Sequence, residues 1–164
     1  MSDEIDLRVR IATTDDLDEV MSVALMACAE NGFVNPNPAK LAAALWSAMV
    51  LDKAICAVIG PPGGRIEGVI YLTIGEMWYS DEVVVEERAI FIHPDYRSAK
   101  GGRARKLCEF GKKLATDLDH PMLIGVLSNE RTEGKVGMYT RVFGKPSGAF
   151  FLYNARTGQA AAGD

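Results

Sequence analysis

Apolar and polar positions alternate near the start of the chain. Leu7, Val9 and Ile11 are separated by Arg8 and Arg10, the period-two signature of a strand with one buried face. The period then lengthens. Thr13 or Thr14 can cap a helix whose positive N-terminus suits Asp15 and Asp16, and Leu17, Val20, Met21, Ala24, Leu25 and Cys28 recur at helical spacing until Asn31-Gly32 stops it. Asn37 and Pro38 open a second helix, predicted to run to about Asp52, with Leu41, Ala44, Leu45, Ala48 and Met49 inward. Ala54 to Ile59 and Ile66 to Ile74 are strands joined through Gly60-Pro61-Pro62-Gly63-Gly64 as a hairpin. Val83 to His93 is the next strand, closed by Pro94, which cannot donate to a ladder.

Further on, Ala104, Leu107, Cys108, Leu114, Ala115 and Leu118 form one stripe of a helix from Gly102 to Leu118. Met122 to Leu127 is a continuous apolar run, as expected of a strand buried on both faces. Another helix ends at Gly144. Ala149 to Tyr153 supplies a last strand, in the core or at an edge shared with a second copy. The order β-α-α-β-β-β-α-β-α-β predicts an α/β (α+β) protein with helices packed on a mixed sheet. No repeat or linker divides it, so residues 1–164 form one domain, with 1–5 and 155–164 as flexible tails. Val83 to Leu127 is the one strand-helix-strand crossover, and ligands of such units sit at the carboxyl ends of their strands.

Composition narrows the function. With 164 residues, 48% apolar and 24% charged, and a net charge of -4, the chain is neither disordered nor a coat for nucleic acid. Anion binding must therefore be local. The acidic start lacks a secretory pattern and no apolar run spans a bilayer, so a cytoplasmic protein without membrane partners is expected. Cys28, Cys56 and Cys108 lie far apart, and His93 and His120 do not group with them; no metal site is expected and the thiols read as buried.

One segment carries chemistry. After Ile90-Phe91-Ile92-His93-Pro94, the turn and first helical residues hold Arg97, Lys100, Arg103, Arg105 and Lys106. There a helix dipole already places positive charge, a conflict that an anion resolves. Gly101 and Gly102 let backbone N–H groups approach a diphosphate, and the cations reach further phosphates. The alternative is a solvated basic face. Neither GxxxxGK[ST] nor GxGxxG occurs, which excludes a Walker loop and a dinucleotide fingerprint.

Ile90, Ile92, Pro94, Tyr96 and Arg97, followed by Gly102 and Ala104, resemble the central motif of the GNAT superfamily of N-acetyltransferases. The loop is two residues longer here, since Arg97 precedes Gly102 by five positions and Ala99 occupies the usual Arg/Gln place. The element order extends the likeness over Leu7 to Tyr153, with phage and prophage members as the nearest subgroup. The resemblance implies a mostly antiparallel twisted sheet with helices on both faces. It also implies acetyl-coenzyme A lying against Ile90, Phe91 and Ile92, with its diphosphate at Arg97, Lys100, Gly101, Gly102, Arg103 and Ala104. Asn129 matches a motif asparagine and Lys135 stands where the family has alanine, so both join the cofactor set.

The implied reaction is direct acetyl transfer to an amine, which needs a base for the ammonium proton and an acid for the leaving thiolate. Tyr139 is the candidate acid, or a core ring with a wet hydroxyl. Glu86 and Glu87 are candidate bases, and alternation turns at most one toward the acceptor; Glu76 or a water competes. His93 has a structural or cofactor-side reading beside a basic one. Phe33, Trp46, Trp78 and Tyr79 either line an acceptor pocket or belong to the core. Two functions stay open, an N-acetyltransferase and an inactive coenzyme A-binding module acting through a protein partner.

Overall fold

The computed structural model describes residues 6–97, 99–128 and 131–154. The expected tails, 1–5 and 155–164, lie outside the described residues. The alternating start forms β1 (Arg8–Ile11). It is followed by α1 (Leu17–Asn31), which Gly32 terminates at φ 63°, a left-handed cap that glycine takes without a Cβ penalty. In α2 (Pro38–Met49) the Asn37 side chain accepts the Lys40 N–H at 3.1 Å, satisfying a donor that the helix start leaves orphaned. β2 (Ala54–Gly60) and β3 (Gly68–Glu76) make the hairpin, and β4 (Val83–Ile92) continues it. Then come α3 (Arg103–Asp117), β5 (Met122–Leu123) and α4 (Thr132–Phe143).

The five strands form one sheet in chain order, antiparallel from β1 to β4 and parallel between β4 and β5. Helices cover both faces. On one, Val20 and Val23 of α1 and Leu45, Ala48 and Met49 of α2 pack on Cys56, Val58, Val69 and Phe91. On the other, Leu107 and Ala115 of α3 pack on Ile59, Ile70, Leu72 and Val85. Each of the buried Val, Leu, Ile, Met and Phe side chains contributes about 1.5–3 kcal/mol, which makes β2 and β3 the rigid centre against which β4 is held.

Several expectations change. Met122 to Leu127 is not a strand buried on both faces: only Met122 and Leu123 pair with β4, and Leu123 and Leu127 are exposed. Ala149 to Tyr153 forms no strand, and its large side chains stand in solvent. The second helix stops at Met49, before Leu51 and Lys53 adopt positive φ. Ile11, expected inward, is 42% exposed because β1 pairs only with β2 at the sheet's rim.

Candidate functional site

The decisive local feature is an irregularity in β4. Tyr71 pairs with Ala89 but the next residue, Leu72, pairs with Glu87, so Arg88 is the extra residue of a β-bulge. Without it, Glu87 would share a face with Ala89 and Phe91. With it, Glu87 shares a face with Ile90 and Ile92, toward α3, while Phe91 packs toward α1 and α2. The bulge also bends β4 away from β5. Pairing between them is confined to Val85 with Met122 and Glu86 with Leu123, and beyond Glu86 the two segments part.

That split exposes backbone. The His93 N–H donates to the Glu67 carbonyl at 2.9 Å, so alternation turns the polar groups of Ile90 and Ile92 to the outer edge, where no strand follows. The Ile92 carbonyl accepts the Arg97 Nε–H at 3.0 Å. At Ile90 no strand pairs with this edge among the described residues.

Glu87 lies at the apex of the split. Its carboxylate accepts a long bond, 3.4 Å, from the Gly125 amide on the segment leaving β5. Burial pushes its pKa up to about 7, against the pull of Gly125 and Lys135. Tyr139 approaches from α4. Its hydroxyl is held well above the usual phenol range by burial first, then by the charge of Glu87 and by Cys108. The ring stacks edge-on against Phe143, centroids 6.0 Å apart. Lys135, one turn earlier on α4, is lowered by burial and raised by Glu30 and Glu87. The Cys108 thiol of α3 is pushed up to about 12 by burial and by Glu87, so it is a neutral neighbour and no nucleophile. A buried carboxyl that titrates near neutral pH thus lies near enough to a protonated phenol to raise its pKa further.

Glu86 does not join this group. It points to the opposite face of β4 and bonds Arg88 at 3.2 Å, half exposed. His93 is buried, with Nε2 2.8 Å from the Arg65 guanidinium and Nδ1 3.2 Å from the Asp95 amide; both neighbours are donors and a neutral imidazole has one acceptor nitrogen, so only one of the two contacts is a hydrogen bond. Trp78 and Tyr79 are 94% and 67% exposed at the β3–β4 turn, which removes the core reading for them, and Trp46 is half exposed. Glu76, the last residue of β3, is exposed and pairs with Val83, four residues before Glu87. Asn129 lies outside the described residues.

At the start of α3 the two glycines carry the turn. Gly101 has φ 124° and Gly102 φ 59°, and a Cβ on Gly101 would come within 2.4 Å of Leu7 Cδ1. The first bond of the helix is Lys106 N–H to the Gly102 carbonyl, and neither a side-chain cap nor an acidic residue serves the first turn. The amides of Arg103, Ala104 and Arg105 therefore face outward, with Lys100, Arg105 and Lys106 exposed beside them. The other two cations are turned inward. Arg103 is buried, donating to Glu67 at 2.7 Å and to the Lys100 carbonyl at 2.9 Å, and its guanidinium lies 5.1 Å from the Tyr96 ring. Arg97 is bound to Glu30 of α1 at 2.5 Å and covers the Phe91 ring. These two brace the turn against the sheet and α1. An open groove of about 670 Å³ between β1 and α3 reaches Gly101, Gly102, Arg105 and Lys106, but neither Glu87 nor Tyr139.

Sequence reasoning missed four partners. Glu67 left a signal, a carboxylate inside the apolar run Ile66 to Ile74, which in a buried strand demands a cation. Glu30, the Gly125 amide and Cys108 left none, because each becomes a neighbour only through the tertiary fold.

No protein-family model matches the chain, and no curated protein matches it. Among solved structures, the aminoglycoside acetyltransferase AAC(6')-Iy, bound to a bisubstrate analogue joining coenzyme A to acetylneamine, has a TM-score of 0.70 at 16% identity over 92% of this chain and 98% of that one. An acetyltransferase of Trypanosoma brucei gives 0.66 at 16% identity, covering 91% and 99%. A possible acetyltransferase of Clostridium difficile 630 gives 0.66 at 13%, covering 93% and 99%. The fold is that of the GNAT acetyltransferases. The sheet order, the helices on both faces and the near-complete coverage of both chains carry that likeness, and identities of 13–16% limit it to the fold. Among the described residues no helix is long and apolar enough to cross a membrane, and no group of His, Cys, Asp or Glu is arranged to hold a metal.

Proposed function

We propose that this chain is an acyl-coenzyme A-dependent N-acyltransferase that moves an acetyl group from acetyl-coenzyme A to a primary amine, by direct attack in a ternary complex. One observation carries the reading: pairing between β4 and β5 ends at Glu86, leaving the buried Glu87 carboxyl at the opening, 3.4 Å from the Gly125 amide. In this proposal the diphosphate sits on the outward amides of Arg103, Ala104 and Arg105, with Lys100, Arg105 and Lys106 around it. The arm that follows pairs with the outer edge of β4 at Ile90 as an added strand would. Lys135 and Asn129 belong to the same proposed cofactor wall.

Chemistry then needs three proton transfers. Glu87, ionised, takes a proton from the acceptor ammonium, and the freed nitrogen lone pair attacks the thioester carbonyl carbon. As the tetrahedral oxyanion collapses, the carbon–sulfur bond breaks, Tyr139 donates its proton to the sulfur, and the second proton leaves the nitrogen for the tyrosinate, directly or through water, as the amide forms. A pKa near 7 suits the base, and a phenol raised by burial stays protonated until it is needed.

The acceptor is an amine of a small molecule, peptide or protein. Several neighbours of the same fold are aminoglycoside acetyltransferases, and here Glu76, Asp81 and Glu82 with Trp78 and Tyr79 make the β3–β4 turn acidic and aromatic. Cationic, multiply aminated acceptors therefore head the proposal. It also takes the protein to be cytoplasmic, a single domain, independent of nucleic acid and of a metal, and near the phage-associated members of the superfamily.

The test is thiol release from acetyl-coenzyme A with a panel of aminoglycosides, polyamines and peptide N-termini. The expected result is acceleration by at least one amine, abolished by Glu87→Gln. Coenzyme A binding without release for any amine would reduce the protein to a binding module, and absence of binding would end the proposal.

A further inference from the structure

Tyr139 is carried by a lightly anchored element. α4 packs on α3 and on little else, and neither the segment 124–128 before it nor the segment 145–154 after it forms a helix or strand. Val142 is buried, whereas Tyr139 and Phe143 are only half-buried. Toward the end of α4 the apolar cover stops, at an open groove of about 590 Å³ whose lining includes Ala115 of α3, Met122 of β5 and Phe143 of α4. Packing alone therefore fixes only loosely the angle at which α4 stands on α3, and with it the reach of Tyr139.

One bond crosses from helix to helix at that groove. The Lys112 Nζ of α3 donates to the Val142 carbonyl in the last turn of α4 at 2.9 Å, and Lys112 lines the groove beside Phe143. That carbonyl is one of those a helix end leaves without an N–H partner, and a cation there also meets the negative end of the helix dipole. The next residue, Phe143, stacks edge-on against the Tyr139 ring. A line of contacts thus runs from Lys112 through Val142 and Phe143 to the phenol. On α3 itself Lys112 stands one turn beyond Cys108, which is near enough to Glu87 and Tyr139 to be coupled to both. Its neighbour Lys113 is engaged elsewhere, with Asp117 at 2.5 Å on the exposed side.

We propose that Lys112 is a positioning residue for the acid step: by holding the last turn of α4 it sets where the Tyr139 hydroxyl stands. It acts through α4 and not through contact with substrate, and the inference rests on the reading of Tyr139 as proton donor. The test compares Lys112→Met, which keeps the stem and removes the donor, with Lys112→Arg, which restores one. Water in the groove can take over the Val142 carbonyl, so both variants fold, as circular dichroism checks. Hydrogen exchange reads the geometry without turnover: the amides of the last turn of α4 exchange faster in Lys112→Met and as in wild type in Lys112→Arg. In turnover, Lys112→Met lowers kcat about tenfold, leaves KM for acetyl-coenzyme A in place and keeps the limb near pH 7 that belongs to Glu87, and Lys112→Arg recovers most of the loss. In a Tyr139→Phe background, Lys112→Met costs nothing further, because the misplaced group is already gone. Unchanged exchange in Lys112→Met, or a full further loss in the double variant, overturns the proposal. A slow Tyr139→Phe beside an unaffected Lys112→Met overturns this inference alone, whereas a Tyr139→Phe at the wild-type rate overturns the reading of Tyr139 and this inference with it.

Discussion

Glu87 owes its properties to a single inserted residue: the bulge at Arg88 turns its carboxyl from the face of β4 that carries Phe91 to the face toward α3, where it is buried. Because burial raises its pKa from 4.5 to about 7, the base form is half populated near neutrality and predominates only above it. The rate at limiting substrate should therefore rise with pH through about 7 and then level off, while Glu87→Gln should lose about 10²–10⁴-fold in turnover and lose that limb of the profile. Stability runs the other way. Between 4.5 and about 7 the folded state holds a proton that the unfolded state has released, so stability falls as pH rises through that window. Glu87→Gln, which keeps an acceptor for the Gly125 amide, should unfold at higher denaturant than wild type at pH 8, by about 1–3 kcal/mol, and match it at pH 4. Tyr139→Phe separates the two roles: turnover should drop about 10²-fold with coenzyme A affinity unchanged by calorimetry, and an unaffected rate would remove Tyr139 from the reaction.

The start of α3 combines two kinds of cation, and they predict different failures. Arg103 and Glu67 form a buried pair that seats the glycine turn on the sheet, both side chains under 10% exposed. Glu67→Gln leaves a buried guanidinium without its counter-charge and should cost about 3–5 kcal/mol, read as a lower midpoint of thermal unfolding. Gly102→Val, at φ 59° with open space around it, should cost about 1–2 kcal/mol of backbone strain but weaken coenzyme A binding severely by crowding the outward amides. Much of this element was readable in the sequence, since the stripe through Leu107, Cys108 and Ala115, the glycines and the clustered cations are local patterns. The stripe of α1 and the β2–β3 hairpin were readable for the same reason. What was not readable depends on pairing. Met122 to Leu127 has the composition of a buried strand, yet β4 turns away after Glu86 and leaves it no partner, and nothing in Glu87-Arg88-Ala89 announces a bulge. Likewise Arg97 and Arg103 look like phosphate ligands until Glu30 and Glu67, distant in sequence, are brought beside them.

A net charge of -4 makes the whole chain a poor general anion binder, so affinity for a diphosphate must come from geometry confined to one turn. That turn is tied to the rest of the molecule at two points, Arg97 to α1 and Arg103 to the sheet. A ligand spanning the turn and the gap binds the folded state only, and it therefore stabilises the whole domain by mass action. At about 100 times its dissociation constant coenzyme A should add about 2.7 kcal/mol, which for a chain of this size raises the unfolding midpoint by about 5–10 °C. Pantetheine lacks the diphosphate but keeps the arm, and at the same concentration it should give a much smaller shift. Raising salt should shrink the coenzyme A shift and leave the pantetheine shift unchanged, because only the first depends on Lys100, Arg105 and Lys106. Equal shifts for the two ligands would mean that the cationic turn contributes nothing and that the β4 edge alone holds the cofactor.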